Sequence, residues 1–213
     1  MNALFDLDGT LCDPREGIVQ GFQHAFDAVG EPFPGPGAVG PLIGRPLLQC
    51  FQTLGLGGRS AEGARHFQAF FESRGFAEAT LYPGILDCLK RLKREGWGVA
   101  VASAKPGFAV KFVAESLQIL PWLDGHYGCE AEELSPDKAG IVAQAMQGLG
   151  WAAGETLLIG DRDQDRDAAR THGLGFVAAA WGFGAAEEHH GAFLRVGQPE
   201  QLLDALLLAR SRR

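Results

Sequence analysis

From Tyr82 onward the chain alternates short apolar runs with longer amphipathic stretches, and this rhythm constrains the fold more than any other feature of the sequence. Gly98–Ala102, Thr156–Ile159 and Phe176–Ala180 have strand length and almost no polar alternation, as expected of strands buried on both faces. Between them Leu86–Glu95 and Gly107–Gln118 have helix length. Asp137–Leu149 gathers Val142, Ala143, Met146 and Leu149 on one side, with Ser135 or Asp137 as its cap, and a charged helix follows Ile159. Apolar strands alternating with helices predict a parallel sheet covered on both faces, with ligands at the carboxyl ends of its strands. Ala3–Leu7 reads as a further buried strand, broken at Gly9.

The segment between Asp13 and Thr80 behaves differently. Ile18, Phe22, Ala25, Phe26 and Val29 recur at helical spacing, a Pro/Gly-rich stretch spans Glu31–Gly40, and helical patterns return at Pro46–Leu54 and Ala61–Ser73. Little of this region reads as strand. The expected organisation is therefore a sheet-based core of residues 1–13 and 81–213, interrupted by an all-helical unit at 14–80.

A formal net charge of −7 gives no electrostatic reason to expect a nucleic-acid partner, and the basic tail Arg210–Arg213 reads as solubilising. The four cysteines are scattered, with no CxxC pair and no histidine at ligand spacing, so reduced thiols are expected rather than disulfides or zinc. Nothing resembles a signal peptide, and no run approaches the ~18 apolar residues of a membrane span. The expectation is a cytoplasmic protein, monomer or homodimer, without membrane attachment.

Three strand ends carry polar residues that a packed core would not select. They are Asp6-Leu7-Asp8-Gly9-Thr10, then Ser103 after Ala102, then Gly160-Asp161-Arg162-Asp163-Gln164-Asp165 after Ile159. Alternation aims Asp6 and Asp8 the same way, and Asp165 falls about one turn beyond Asp161. Bringing these carboxylates to one edge is unfavourable unless compensated, since two like charges ~4 Å apart repel by ~4 kcal/mol at an effective dielectric of 20. A hard divalent cation removes that cost, and an oxygen-only ligand set suits magnesium. With Lys138 and the Ser103 hydroxyl to hold an anion, the set amounts to a phosphoryl-transfer site.

These residues resemble the four motifs of the haloacid dehalogenase (HAD) superfamily, in order: Asp6–Thr10, Ser103, Lys138 and Gly160-Asp161-x-x-x-Asp165. Tyr82-Pro83-Gly84 and Trp181-Gly182-Phe183-Gly184 add to the likeness, which spans nearly the whole chain and is nearest the phosphoglycolate-phosphatase-like branch. The resemblance implies an α/β fold, a Rossmann-like parallel sheet core with an inserted helical cap. It implies Mg²⁺ held by Asp6, Asp8 (through its backbone carbonyl), Asp161 and Asp165, with Asp6 as nucleophile and Asp8 as general acid, then base. Phosphoryl contacts would come from Thr10, Ser103, Lys138 and the Ala104 position, where relatives often carry Asn or Ser. Lys105 competes with Lys138 for the lysine role, and Lys138 is favoured.

Arg45, in a Gly-Arg-Pro turn of the inserted region, is a candidate to meet an anionic far end of the substrate, against a plain surface arginine. His172, His189 and His190 read as surface histidines. The implied activity is hydrolysis of a small phosphomonoester, with phosphoglycolate-like compounds, nucleotide monophosphates, pyrophosphate and sugar phosphates all open. A phosphomutase with the same core and a non-catalytic phosphate-ester-binding regulator are the alternatives. Asp8 argues against a dehalogenase.

Overall fold

The strand β1 (Asn2–Phe5) is the axis of the computed structural model, which describes residues 1–74 and 79–210. The chain then passes through β2 (Cys12–Asp13) into the helices α1 (Arg15–Val29), α2 (Pro36–Val39), α3 (Leu47–Thr53) and α4 (Ser60–Arg74). It returns by β3 (Thr80–Leu81), which pairs antiparallel with β2 through Cys12–Leu81 and Asp13–Thr80. The outgoing and returning chains therefore lie side by side.

The remaining elements follow as α5 (Ile85–Arg94), β4 (Gly98–Pro106), α6 (Gly107–Ser116), β5 (Gly125–Cys129), α7 (Lys138–Leu149), β6 (Thr156–Gly160), α8 (Asp163–His172), β7 (Gly175–Ala179), β8 (Leu194–Val196) and α9 (Leu202–Arg210). Six strands form one sheet in the order β5-β4-β1-β6-β7-β8, and every pairing is parallel. With β1 between β4 and β6, the chain order reverses at β1. Such a switch point opens a crevice at the strand ends.

Period two along each strand feeds two apolar layers. Phe5, Val99, Val101, Leu157 and Ile159 pack towards α5, α6 and α9 residues such as Leu89, Val110 and Leu206. Leu4, Ala100, Leu158 and Phe176 pack towards α7 and α8 residues such as Val142 and Ala168. The inserted helices have a third cluster of their own, centred on Phe22, Phe26 and Phe51. Phe67 joins Phe22 at 4.9 Å and Phe71 at 4.7 Å between ring centroids, contacts worth about 0.5–1.5 kcal/mol each beyond area burial.

The elements differ from the sequence expectation in three ways. β4 runs on to Pro106, so Ser103 lies within an irregular strand end, where the register to β5 shifts between Ala102 and Pro106. The strands β5 and β8 and the helix α9 went unpredicted, because β5 is rich in Gly and polar residues and β8 is three residues long. Asp137, not Ser135, caps α7, accepting the Ala139 amide at 3.0 Å. The tail residues 211–213, and residues 75–78 of the inserted segment, lie outside the described residues.

The loop before α3 is fastened to the loops after β6 and β7. The Arg162 guanidinium, buried, donates to the Ile43 and Pro41 carbonyls and meets Glu188 Oε1 at 3.0 Å. Gln164 Nε2 donates to the Gly44 carbonyl, and Arg45 reaches Asp163 at 3.4 Å and Glu188 at 3.1 Å.

Burial alone would raise the Glu188 pKa, but the amides of Ala185 and Asp163 and the two guanidiniums outweigh it and hold it at about 2. A depressed carboxylate pKa gives stability that is complete above the unfolded value, ~4.3, and is lost as pH falls towards the folded one. Glu188→Gln should therefore cost about 2 kcal/mol at pH 7, leaving the Arg162 charge uncompensated, and the deficit should shrink below pH 4. Urea melts across pH check this; a pH-independent deficit would contradict the assignment.

Candidate active site

Five elements converge at the carboxyl edge of the sheet around β1. Asp6 follows β1 directly, Ser103 sits near the end of β4, Asp161 follows β6, and Lys138 opens α7. Asp165 lies in the first turn of α8, where the macrodipole favours an anion. All five are buried.

Lys138 binds the set together. Its Nζ lies 2.5 Å from Asp6 Oδ1 and 2.8 Å from Asp165 Oδ1. Burial alone would lower its pKa, but the Asp165 and Asp6 carboxylates outweigh burial and raise it above the ordinary lysine value. Asp8 stands apart from this group, because its Oδ2 accepts a hydrogen bond from Lys105. The two lysines thus take different carboxylates. Ser103 Oγ accepts the Lys105 amide at 3.3 Å, and Ala104 contributes its carbonyl to the Cys129 thiol.

Gly9 makes the close approach possible. Its φ is +80°, and a Cβ there would lie 2.4 Å from Asp161 Oδ2. Thr10 is fully buried behind this turn; its carbonyl accepts from Trp181 Nε1 at 3.2 Å, and its hydroxyl has no hydrogen-bond partner among the described residues.

The loop after β7 orients Asp161. The amides of Phe183 and Gly184 donate to Asp161 Oδ2 at 2.7 and 3.2 Å, and His189 Nε2 donates to the Asp161 carbonyl at 2.8 Å. A Cβ on Gly182 would fall 2.5 Å from the same carboxylate oxygen, so the loop can press this close only as glycine. His189 is therefore a buried packing partner of the site, not the surface histidine the sequence suggested; its isolated position in an unpatterned segment carried no signal. His172 likewise uses Nε2 on the Ala139 carbonyl at 2.8 Å.

Carboxylate oxygens of Asp6, Asp161 and Asp165 lie within 4.8 Å of one another. Asp161 Oδ1 is buried without a hydrogen-bond partner. Burial, then Asp6 and Asp165, push the Asp161 carboxyl well above the usual range, and burial raises Asp165 to about 6 against the opposing pull of Lys138. An orphaned oxygen and strained ionisation among hard oxygen donors fit a divalent cation of the magnesium type.

Arg45 lines the cavity above Asp6, with its guanidinium engaged by Asp163 and Glu188 as described. It is neither a freely exposed arginine nor an uncommitted anion receptor.

Residues 3–179 match the model of the haloacid dehalogenase-like hydrolase family, and the chain belongs to that family. A 5'-nucleotidase of Pseudomonas aeruginosa is 35% identical over 93% of this chain and 88% of its own length. The tyrosine-protein kinase PtkA of Mycobacterium tuberculosis is 30% identical over 86% of this chain and 63% of its own. Among solved structures, a predicted phosphatase from Clostridium acetobutylicum superposes with a TM-score of 0.90 at 26% identity, covering 97% of this chain and 98% of that one.

The raised carboxylates give a signed prediction. A group whose folded pKa is raised supports the fold in its neutral form, and that support is lost as pH rises through the folded value. In chelator, Asp161→Asn should therefore raise the melting temperature by about 3 °C or more at pH 7.5, with a smaller gain near pH 5. Calorimetry at the two pH values checks this; destabilisation at pH 7.5 would contradict the crowding of charge.

Proposed function

We propose that this HAD-family phosphatase hydrolyses a small phosphomonoester, in the phosphoglycolate-like or nucleotide-monophosphate range, by a magnesium-dependent route through an aspartyl-phosphate on Asp6. One observation carries the reading: Asp6 is fixed by Lys138 beside two further buried carboxylates, while Asp8 is held apart on the cavity wall by Lys105. That separation suits a nucleophile and a proton carrier that must not share one charge environment.

Asp6, Asp161 and Asp165, with the Asp8 backbone carbonyl, would hold magnesium. The cation, when bound, supplies charge neutralisation at the phosphoryl oxygens. In the first step a carboxylate oxygen of Asp6 attacks phosphorus, the bond to the leaving oxygen breaks, and that oxygen takes a proton from Asp8. In the second step Asp8, now ionised, removes a proton from water as it attacks phosphorus, and the acyl-phosphate bond breaks to return Asp6 and release phosphate. Lys138 keeps Asp6 oriented throughout, and the Ser103 hydroxyl contacts the phosphoryl group. Residues 14–80 act as a cap whose closing over Asp6 excludes bulk water. The proposed setting is the cytoplasm, as monomer or homodimer. Among the described residues, no helix is long and apolar enough to cross a membrane.

The test is phosphate release from a panel of monoesters with magnesium. Activity should vanish in excess chelator, and Asp6→Asn should fall below about a hundredth of the wild-type rate, more than ~2.7 kcal/mol of transition-state stabilisation, while remaining folded. Undiminished turnover in chelator would remove the metal from the account, and an active Asp6→Asn would remove the nucleophile.

A further inference from the structure

We infer that the leaving group of the substrate is a flat, uncharged ring system, and that a second anionic group is discriminated against. This rests on the phosphatase reading above and narrows its substrate class.

The cavity over Asp6 and Asp8 has a polar floor and a largely apolar wall. Its inserted-helix wall presents Ile18, Phe22, Leu47 and Phe67, and the core side adds Pro106 and Phe108. Phe67, partly exposed, is tilted at 52° against the buried Phe22 with centroids 4.9 Å apart, so its ring is held in place with an edge left for a guest. Aromatic guests are held by such offset and edge contacts, and apolar walls with few polar groups are the usual environment of a bound ring.

The charges of the cavity point the same way. Beyond Asp6 and Asp8, its charged lining residues are Lys105, Arg45 and Glu133. Lys105 is spent on Asp8, and Arg45 is paired with Asp163 and with Glu188, which Arg162 shares. Glu133 is exposed at the rim. A carboxylate or second phosphate at the far end of a substrate would meet Glu133 and a guanidinium whose charge is already matched by Asp163 and Glu188. The polar side chains of the wall have committed donors as well, Gln68 to the Ala131 carbonyl at 3.0 Å and Gln164 to the Gly44 carbonyl.

Non-hydrolysable phosphonates separate leaving-group binding from leaving-group reactivity. Benzylphosphonate and phosphonoacetate, competing against a chromogenic aryl phosphate with magnesium, should differ in Ki by about tenfold or more in favour of the benzyl compound. Phe67→Ala should weaken benzylphosphonate by about tenfold while leaving inhibition by inorganic phosphate unchanged, and Phe67→Leu, which preserves more of the packing, should fall between. Glu133→Gln should tighten phosphonoacetate several-fold, about the effect of one screened charge, and leave benzylphosphonate alone. Phosphonoacetate binding as tightly as benzylphosphonate, or all three variants leaving both affinities unmoved, would overturn the inference. Absence of turnover by the wild type would instead contradict the phosphatase reading; the same affinities are then measured by calorimetry, so the two claims fail separately.

Discussion

A single buried ammonium, that of Lys138, ties together the active edge of this fold. It sits between Asp6 on the end of β1 and Asp165 at the start of α8, and so joins three elements that the apolar layers bring near one another without fixing. With Asp161 included, the cluster holds three carboxylates against one lysine, which leaves two negative charges uncompensated. Burial first, and the neighbouring carboxylates after it, raise the pKa values of Asp161 and Asp165. A divalent cation would balance the uncompensated charge, and that balance is what the proposed phosphoryl transfer draws on. The packing that makes the site costly without a cation would make it strongly polarising with one.

The inserted helices are coupled to this cluster through neighbours in sequence. Arg162 follows Asp161 and carries the contacts to Pro41 and Ile43, while Glu188, beside His189, completes its charge. One short loop therefore positions the Asp161 carboxylate at one end and docks the loop before α3 at the other. Any motion of the helical unit over Asp6 has to rearrange these hydrogen bonds. Their partial burial makes that rearrangement a discrete event, because a half-broken buried ion pair is worse than either end state.

Much of this was legible in the sequence because burial and chemistry conflict there openly. Apolar strands that stop on Asp6, Ser103 and Asp161 can be excused only by a ligand, and the helical spacing of Ile18, Phe22 and Phe26 marks the inserted unit. What stayed hidden depended on tertiary pairing. β5 carries His126 and Tyr127 between glycines and shows no strand pattern until β4 lies beside it. The division of labour between Lys105 and Lys138 is fixed by where the irregular end of β4 points, which spacing does not encode. Arg45 offered a charge with no visible partner, since Asp163 and Glu188 are distant in the chain. His189 looked like any loop histidine until the glycine-rich turn at 182–184 folded it against Asp161.

The central claim is that Asp6 carries the phosphoryl group. Rapid acid quench of the enzyme turning over a phosphorus-32-labelled aryl phosphate, followed by peptide mapping, measures it directly. The account predicts label on the peptide containing Asp6, accumulating in Asp8→Asn because a good leaving group needs no proton whereas the attacking water still needs a base, and absent from Asp6→Asn. Phosphate release with no label on that peptide in either wild type or Asp8→Asn would contradict it, and would mean that water attacks the substrate without a covalent intermediate.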